Sequence, residues 1–156
     1  MHSAADMTSH LEHRTSILRE FVTNRRNVSR AGFNCYFDAT LITCRSLWAL
    51  LGVASNSYKE TDLHTAAGTK LSFSGFTEIR KNIAPEVTIT EFKSEHELDA
   101  LPEKREIVKV LAAANKCVAH FADILHHGVN EDELERVAKR LLLELSDRIK
   151  IPSAPL

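Results

Sequence analysis

The sequence predicts an all-α fold, and three observations carry that expectation. Glycine and proline are scarce, at 5 and 4 in 156 residues. So few breakers favour long helices over a strand-rich fold with many turns. Apolar residues recur at alternating four- and three-residue steps over long stretches, which is the spacing of one helix face. Start and stop residues bracket those stretches, notably Asn130 ahead of Glu133 and Gly52 after Leu51. The length suits a single domain, residues 1–156, around one hydrophobic core.

The first helix is expected to begin near Thr8 or Ser9, either of which can cap it. Leu11, Leu18, Phe21, Val22 and Val28 fall near one face, while Arg14, Arg19, Glu20, Arg25 and Arg26 fill much of the rest. Gly32 reads as a break or a kink. In the second helix Phe37, Leu41, Cys44, Trp48 and Leu51 form an amphipathic stripe, and Gly52 is placed to stop it. These two core helices span about 8–52.

A long irregular insertion, about 55–101, follows. Within it Lys70–Phe76 and Val87–Phe92 alternate apolar and polar residues as short strands do, punctuated by Gly68, Gly75 and Pro85. Long structureless stretches are uncommon inside compact domains. Short helical turns or a small extended flap are therefore expected, either as a lid over a site or as an ordinary connection. The remaining core helices span about 102–150. One starts near Pro102 and carries Ile107, Leu111, Ala114, Val118, Phe121 and Leu125 as its stripe. The other has Asn130 and Glu133 as a capping box, then Leu134, Val137, Leu141, Leu145 and Ile149, and ends at Pro152. Four such helices can bury their stripes against one another as a bundle. No fixed-period repeat points to a solenoid.

Composition narrows the function. A formal net charge of -1 argues against a dedicated DNA-binding domain, so nucleic acid contact would need a local patch. An aromatic content of 6% weakens any stacking platform for bases. Three cysteines, Cys35, Cys44 and Cys117, do not make a secreted disulfide framework and read as small hydrophobes in a reducing compartment. Met1–His10 lacks the apolar core of a signal peptide, and the longest apolar run, Leu47–Ala54, is too short to span a bilayer. A soluble cytoplasmic protein with no membrane partner is expected. Arg25-Arg26-Asn27-Val28-Ser29-Arg30 is the local basic patch. Arg25, Arg26 and Arg30 are candidate phosphate contacts, although such a run also suits a helix end and solubility. Glu131-Asp132-Glu133 at a helix start reads as helix electrostatics.

No metal or cofactor is expected. Cys117 and His120 are three apart on a helix, with His126 and His127 nearby and His10 and His13 near the N-terminus, but no set of three or four ligands converges. A thiol nucleophile at Cys117 is disfavoured because that position lies on the apolar side of its helix. Glycine-rich phosphate loops, paired catalytic carboxylates and Ser-His-Asp constellations are not found.

The remaining polar feature is Asn115-Lys116-Cys117-Val118-Ala119-His120 within an apolar helix. Asn115 and His120 interrupt the stripe at its shoulder, where a buried polar group without a partner costs roughly 1–3 kcal/mol. They are expected either to bond a neighbouring helix or to work at a surface or interface. This Asn-Lys-x-x-Ala-His pattern on the third long helix resembles the HEPN superfamily. Asp38-Ala39-Thr40-Leu41-Ile42-Thr43-Cys44-Arg45-Ser46-Leu47 is similar to the Ala-Arg-Ser-Leu-type second helix of several members. The resemblance covers Thr8–Gly52 and Pro102–Ile149.

The resemblance implies an up-and-down four-helix bundle whose two protomers join their motifs at a homodimer interface. It also implies a metal-independent endoribonuclease motif of Arg, a polar residue, four further residues and His. Asn115 then matches the polar residue and His120 the general acid or base, a role its near-neutral pKa suits. The expected Arg would stabilise phosphate charge in the transition state, but Ala114 stands in its place. Lys116 is cationic yet lacks the planar fork of arginine, and Arg45 is the candidate to supply a guanidinium from the second helix. The implied function is an RNA- or nucleotide-binding domain with a degenerate ribonuclease site, in a defence or toxin–antitoxin setting, with a partner protein such as an antitoxin. The alternative is a non-catalytic structural or protein-interaction module of a helical homodimer.

Overall fold

The computed structural model describes residues 3–55, 63–65, 83–119 and 128–152, with backbone alone at 64–65 and 117–119. Its helices begin where a side chain can satisfy the first unpaired N–H groups. Helix α1 is Ala4–Asn24, started by a capping box: Asp6 N donates to Ser3 Oγ (3.1 Å) and Ser3 N to Asp6 Oδ2 (2.9 Å). The start therefore precedes Thr8 and Ser9. Thr8 instead bonds back to the Ala4 carbonyl from inside the helix, at 2.9 Å. One 3-10 turn, Arg25–Asn27, and an extended step at Val28 end this helix. Ser29 then caps α2, Arg30–Leu50, by accepting from Gly32 N at 3.1 Å. The break falls at Arg25–Ser29, and Gly32 lies in the first turn of α2, because the serine cap sets the boundary.

Gly52 stops α2 as expected. Its φ of +83° is in the left-handed region that favours glycine, and a Cβ there would lie 3.3 Å from the Glu91 Cβ. Strand β1, Val53–Ser55, follows at once and pairs antiparallel with β2, Leu63–Thr65, in the register Val53↔Thr65, Ala54↔His64 and Ser55↔Leu63. Further on, β3 is Thr88–Ile89 and α3 is the short helix Glu95–Asp99, capped by Ser94 and Glu97. The alternation over Val87–Phe92 thus contains a strand, while Lys70–Phe76 lies outside the described residues.

Helix α4 is Lys104–Ala119, and α5 is Glu131–Arg148 with the expected Asn130–Glu133 capping box. Helix α5 ends earlier than the apolar stripe suggests. Ile149–Lys150 forms β4, antiparallel to β3, and Thr90 N donates to the Arg148 carbonyl at 2.8 Å. A neighbouring strand captures the chain before Pro152 can terminate the helix.

The four long helices of the described residues pack on one another. Helix α2 touches α1, α4 and α5, and α5 also touches α1 and α4. Leu18, Phe21, Phe37, Leu41, Trp48, Ile107, Leu111, Leu134 and Leu141 are sealed between them. The described residues are mostly helical, with two small two-stranded sheets among them at the helix ends. The segment around Phe92 joins two of those ends. Phe92 N donates to the Leu51 carbonyl at 2.9 Å, and its ring packs near Trp48. Arg148 lies over the other side of the strap, its guanidinium carbon 3.6 Å from the Phe92 ring centroid. This strap holds the 51–52 turn from which β1 departs. Among the described residues no helix is long and apolar enough to cross a membrane.

Candidate functional site

Asn115 sits where the α4 stripe meets β1. Ala114 is fully buried and Lys116 is exposed, so Asn115 occupies the edge between core and solvent. Its Nδ2 donates to the Ser55 carbonyl at 2.9 Å. Ser55 itself is 2% exposed, so the bond satisfies an acceptor carried by a buried residue and ties α4 to β1. A bond to a neighbouring element was one of the two expectations for Asn115; the partner Ser55 was not foreseen, because it carries no signal beyond marking the end of a helix-and-turn pattern.

A small recess of about 10 Å³, room for about one water molecule and partly open to solvent, lies at this junction. Arg45 and Ala49 from α2, Val53–Ser55 from β1, and Leu111 and Asn115 from α4 line it. Two of the candidate residues, Arg45 and Asn115, are thereby brought together from positions seventy residues apart in the chain. Arg45 is half-buried, and burial lowers the pKa of its guanidinium from the usual arginine value. Arginine keeps its charge through such shifts. A cation partly removed from water, with apolar walls on its flanks, attracts an anion more strongly than the same group in bulk solvent. The motif position that Ala114 occupies has no exposure at all, so any arginine there would have to be accommodated in the core.

The basic run is divided by the fold. Arg25 is only 5% exposed, and its guanidinium bonds the Glu135 carboxylate, with Glu131 at 3.7 Å and Asp132 at 3.9 Å. It also bonds the Val22 carbonyl at 3.0 Å and lies over the Phe21 ring. A buried guanidinium needs such partners, since an unpaired buried charge is strongly unfavourable. Arg25 is therefore committed to joining α1 to α5 and does not form one patch with its neighbours. Arg26 is exposed and 3.8 Å from Asp132, and Arg30 is exposed at the start of α2.

His120, His126 and His127 lie outside the described residues, and the Cys117 side chain does too. Among the described residues no group of three or more His, Cys, Asp or Glu could hold a metal ion. Burial pushes the Cys44 thiol far above the ordinary range, which makes it inert as a nucleophile. Cys35 is exposed on α2. In comparisons with known proteins, no family model, curated protein or solved structure matches the chain.

Proposed function

We propose that the chain is an HEPN-like RNA- or nucleotide-binding domain with a degenerate ribonuclease site, of the kind that serves defence or toxin–antitoxin systems. The observation that supports this reading is that Arg45 and Asn115 line one open recess. Arg45 supplies the planar fork that Ala114 lacks, and donates to phosphate oxygens from α2. Lys116, exposed on the next position of α4, adds positive charge outside the recess, while Arg26 and Arg30 extend the contact along the backbone. Asn115 acts by position, because its amide is engaged with the Ser55 carbonyl. In the enzyme form of this reading His120 moves the proton of the ribose hydroxyl or of the leaving oxygen. Without an arginine at position 114 that cleavage is slow.

The test is binding of a fluorescent single-stranded RNA and of a mononucleotide at low and moderate salt. Arg45→Ala is expected to weaken binding about tenfold and to flatten its salt dependence. His120→Ala abolishes any cleavage and leaves the melting temperature unchanged. A folded protein that binds neither ligand at about 1 mM in low salt, where even a weak site of 1 mM dissociation constant would be half occupied, sinks the reading. One observation favours the alternative of a structural or protein-interaction module: the Asn115 amide is spent on holding β1 to α4. That alternative gains if the parent protein neither binds nor cleaves RNA and Asn115→Ala lowers the melting temperature.

A further inference from the structure

The turn between α1 and α2 lies against the start of α5, and the contact is one of opposite charge. Arg25 and Arg26 come from the first side, and Glu131, Asp132 and Glu135 from the second. The acidic residues that open α5, Glu131, Asp132 and Glu133, have separate duties. Glu133 closes the cap with Asn130 and bonds Lys109 at 2.5 Å. Glu131 lies 3.7 Å from the Arg25 Nε. Asp132 reaches both arginines, with one carboxylate oxygen 3.9 Å from Arg25 and 3.8 Å from Arg26.

Arg25 is buried and bonded to Glu135 and to the Val22 carbonyl, so it stays where it is. It thereby fixes the first turn of α5, and that turn presents Asp132 to Arg26. These two side chains are 61% and 70% exposed, so a ligand from solvent can reach them. A carboxylate oxygen and a phosphate oxygen are equivalent acceptors for a guanidinium. We propose that Asp132 is a built-in competitor for the RNA backbone at Arg26, held in place by Arg25, so that the chain masks part of its own basic patch. An exposed ion pair is weak, so the mask yields to phosphate and tunes affinity without blocking the contact. A strand that meets Arg26 displaces a carboxylate in place of a counterion, so this contact adds little to the salt dependence of binding. The inference rests on the RNA-binding reading and adds a regulation to it.

The test is binding of the fluorescent single-stranded RNA by the full chain across a salt series. Asp132→Asn keeps the shape of the side chain and removes its charge. It is expected to tighten binding about twofold to fivefold at low salt, the strength of one exposed ion pair. It should also steepen the slope of log affinity against log salt by up to about 0.7, the share of one single-strand phosphate. Both changes should vanish when Arg26→Ala is added. Glu12→Gln neutralises an exposed carboxylate on α1, roughly 20 Å along the helix from Arg25. Its effect should be smaller and indifferent to Arg26. A folded Asp132→Asn chain with the parent's affinity overturns the proposal. So does a gain that survives Arg26→Ala, or one that Glu12→Gln reproduces. RNA binding that ignores Asp132 removes the mask and leaves the functional reading, whereas a chain that binds no RNA with or without Asp132 removes both.

Discussion

Arg25 and Asn115 show how neighbours decide what a polar residue does. Both interrupt otherwise simple helical patterns, and both end as fasteners between elements. Asn115→Ala removes a donor to the Ser55 carbonyl. The expected loss is about 1 kcal/mol in unfolding free energy, read from urea denaturation, as for one intramolecular hydrogen bond. Arg25→Ala strips a buried cation from its carboxylates and from the Val22 carbonyl. It should cost about 1.5–3 kcal/mol, the range for hydrogen bonds to charged groups. Arg26→Ala, at a site whose side chain is 70% exposed, should stay within about 0.5 kcal/mol. RNA affinity that falls with Arg25→Ala while stability holds would return Arg25 to the phosphate-binding set. The basic run was legible in the sequence, but its division was not, since Glu135 lies 110 residues from Arg25.

At the scale of elements, capping chemistry was readable where one candidate stood alone and ambiguous where several competed. Asn130 and Gly52 had no rivals and act as expected. Ser9 has Glu12 three residues on just as Ser3 has Asp6, so the pattern offers two starts, and the helix forms its capping box at the earlier one. The end of α5 depended on a tertiary event, the pairing of Ile149–Lys150 with Thr88–Ile89. The same corner carries a pH dependence. A hydrogen bond from Lys93 N, offset in part by desolvation and assisted by Ser94 N and Arg148, holds the Glu97 carboxyl below its usual pKa. A carboxylate with a lowered folded pKa contributes stability above its unfolded pKa of about 4.3 and loses it as pH falls through the folded value. Glu97→Gln should therefore lower the urea midpoint slightly at pH 7. The gap to the parent should close in acid below that unfolded value. A gap that is constant from neutral pH into acid would show that Glu97 acts without its charge.

Over the whole molecule, the sequence pattern by itself determined that the chain is mostly helical, where α2 and the final helix carry their core faces, that Gly52 stops α2 and that Asn130 starts the final helix. Those features are local: a 3.6-residue repeat and a cap each involve neighbours within one or two turns. Only the tertiary structure decided that Arg25 is sealed among carboxylates and that Asn115 serves β1. It alone places Arg45 and Asn115 on one recess. The physical reason is that burial of a polar or charged group is stable only with a partner, and that partner comes from whichever distant element the packed core sets beside it.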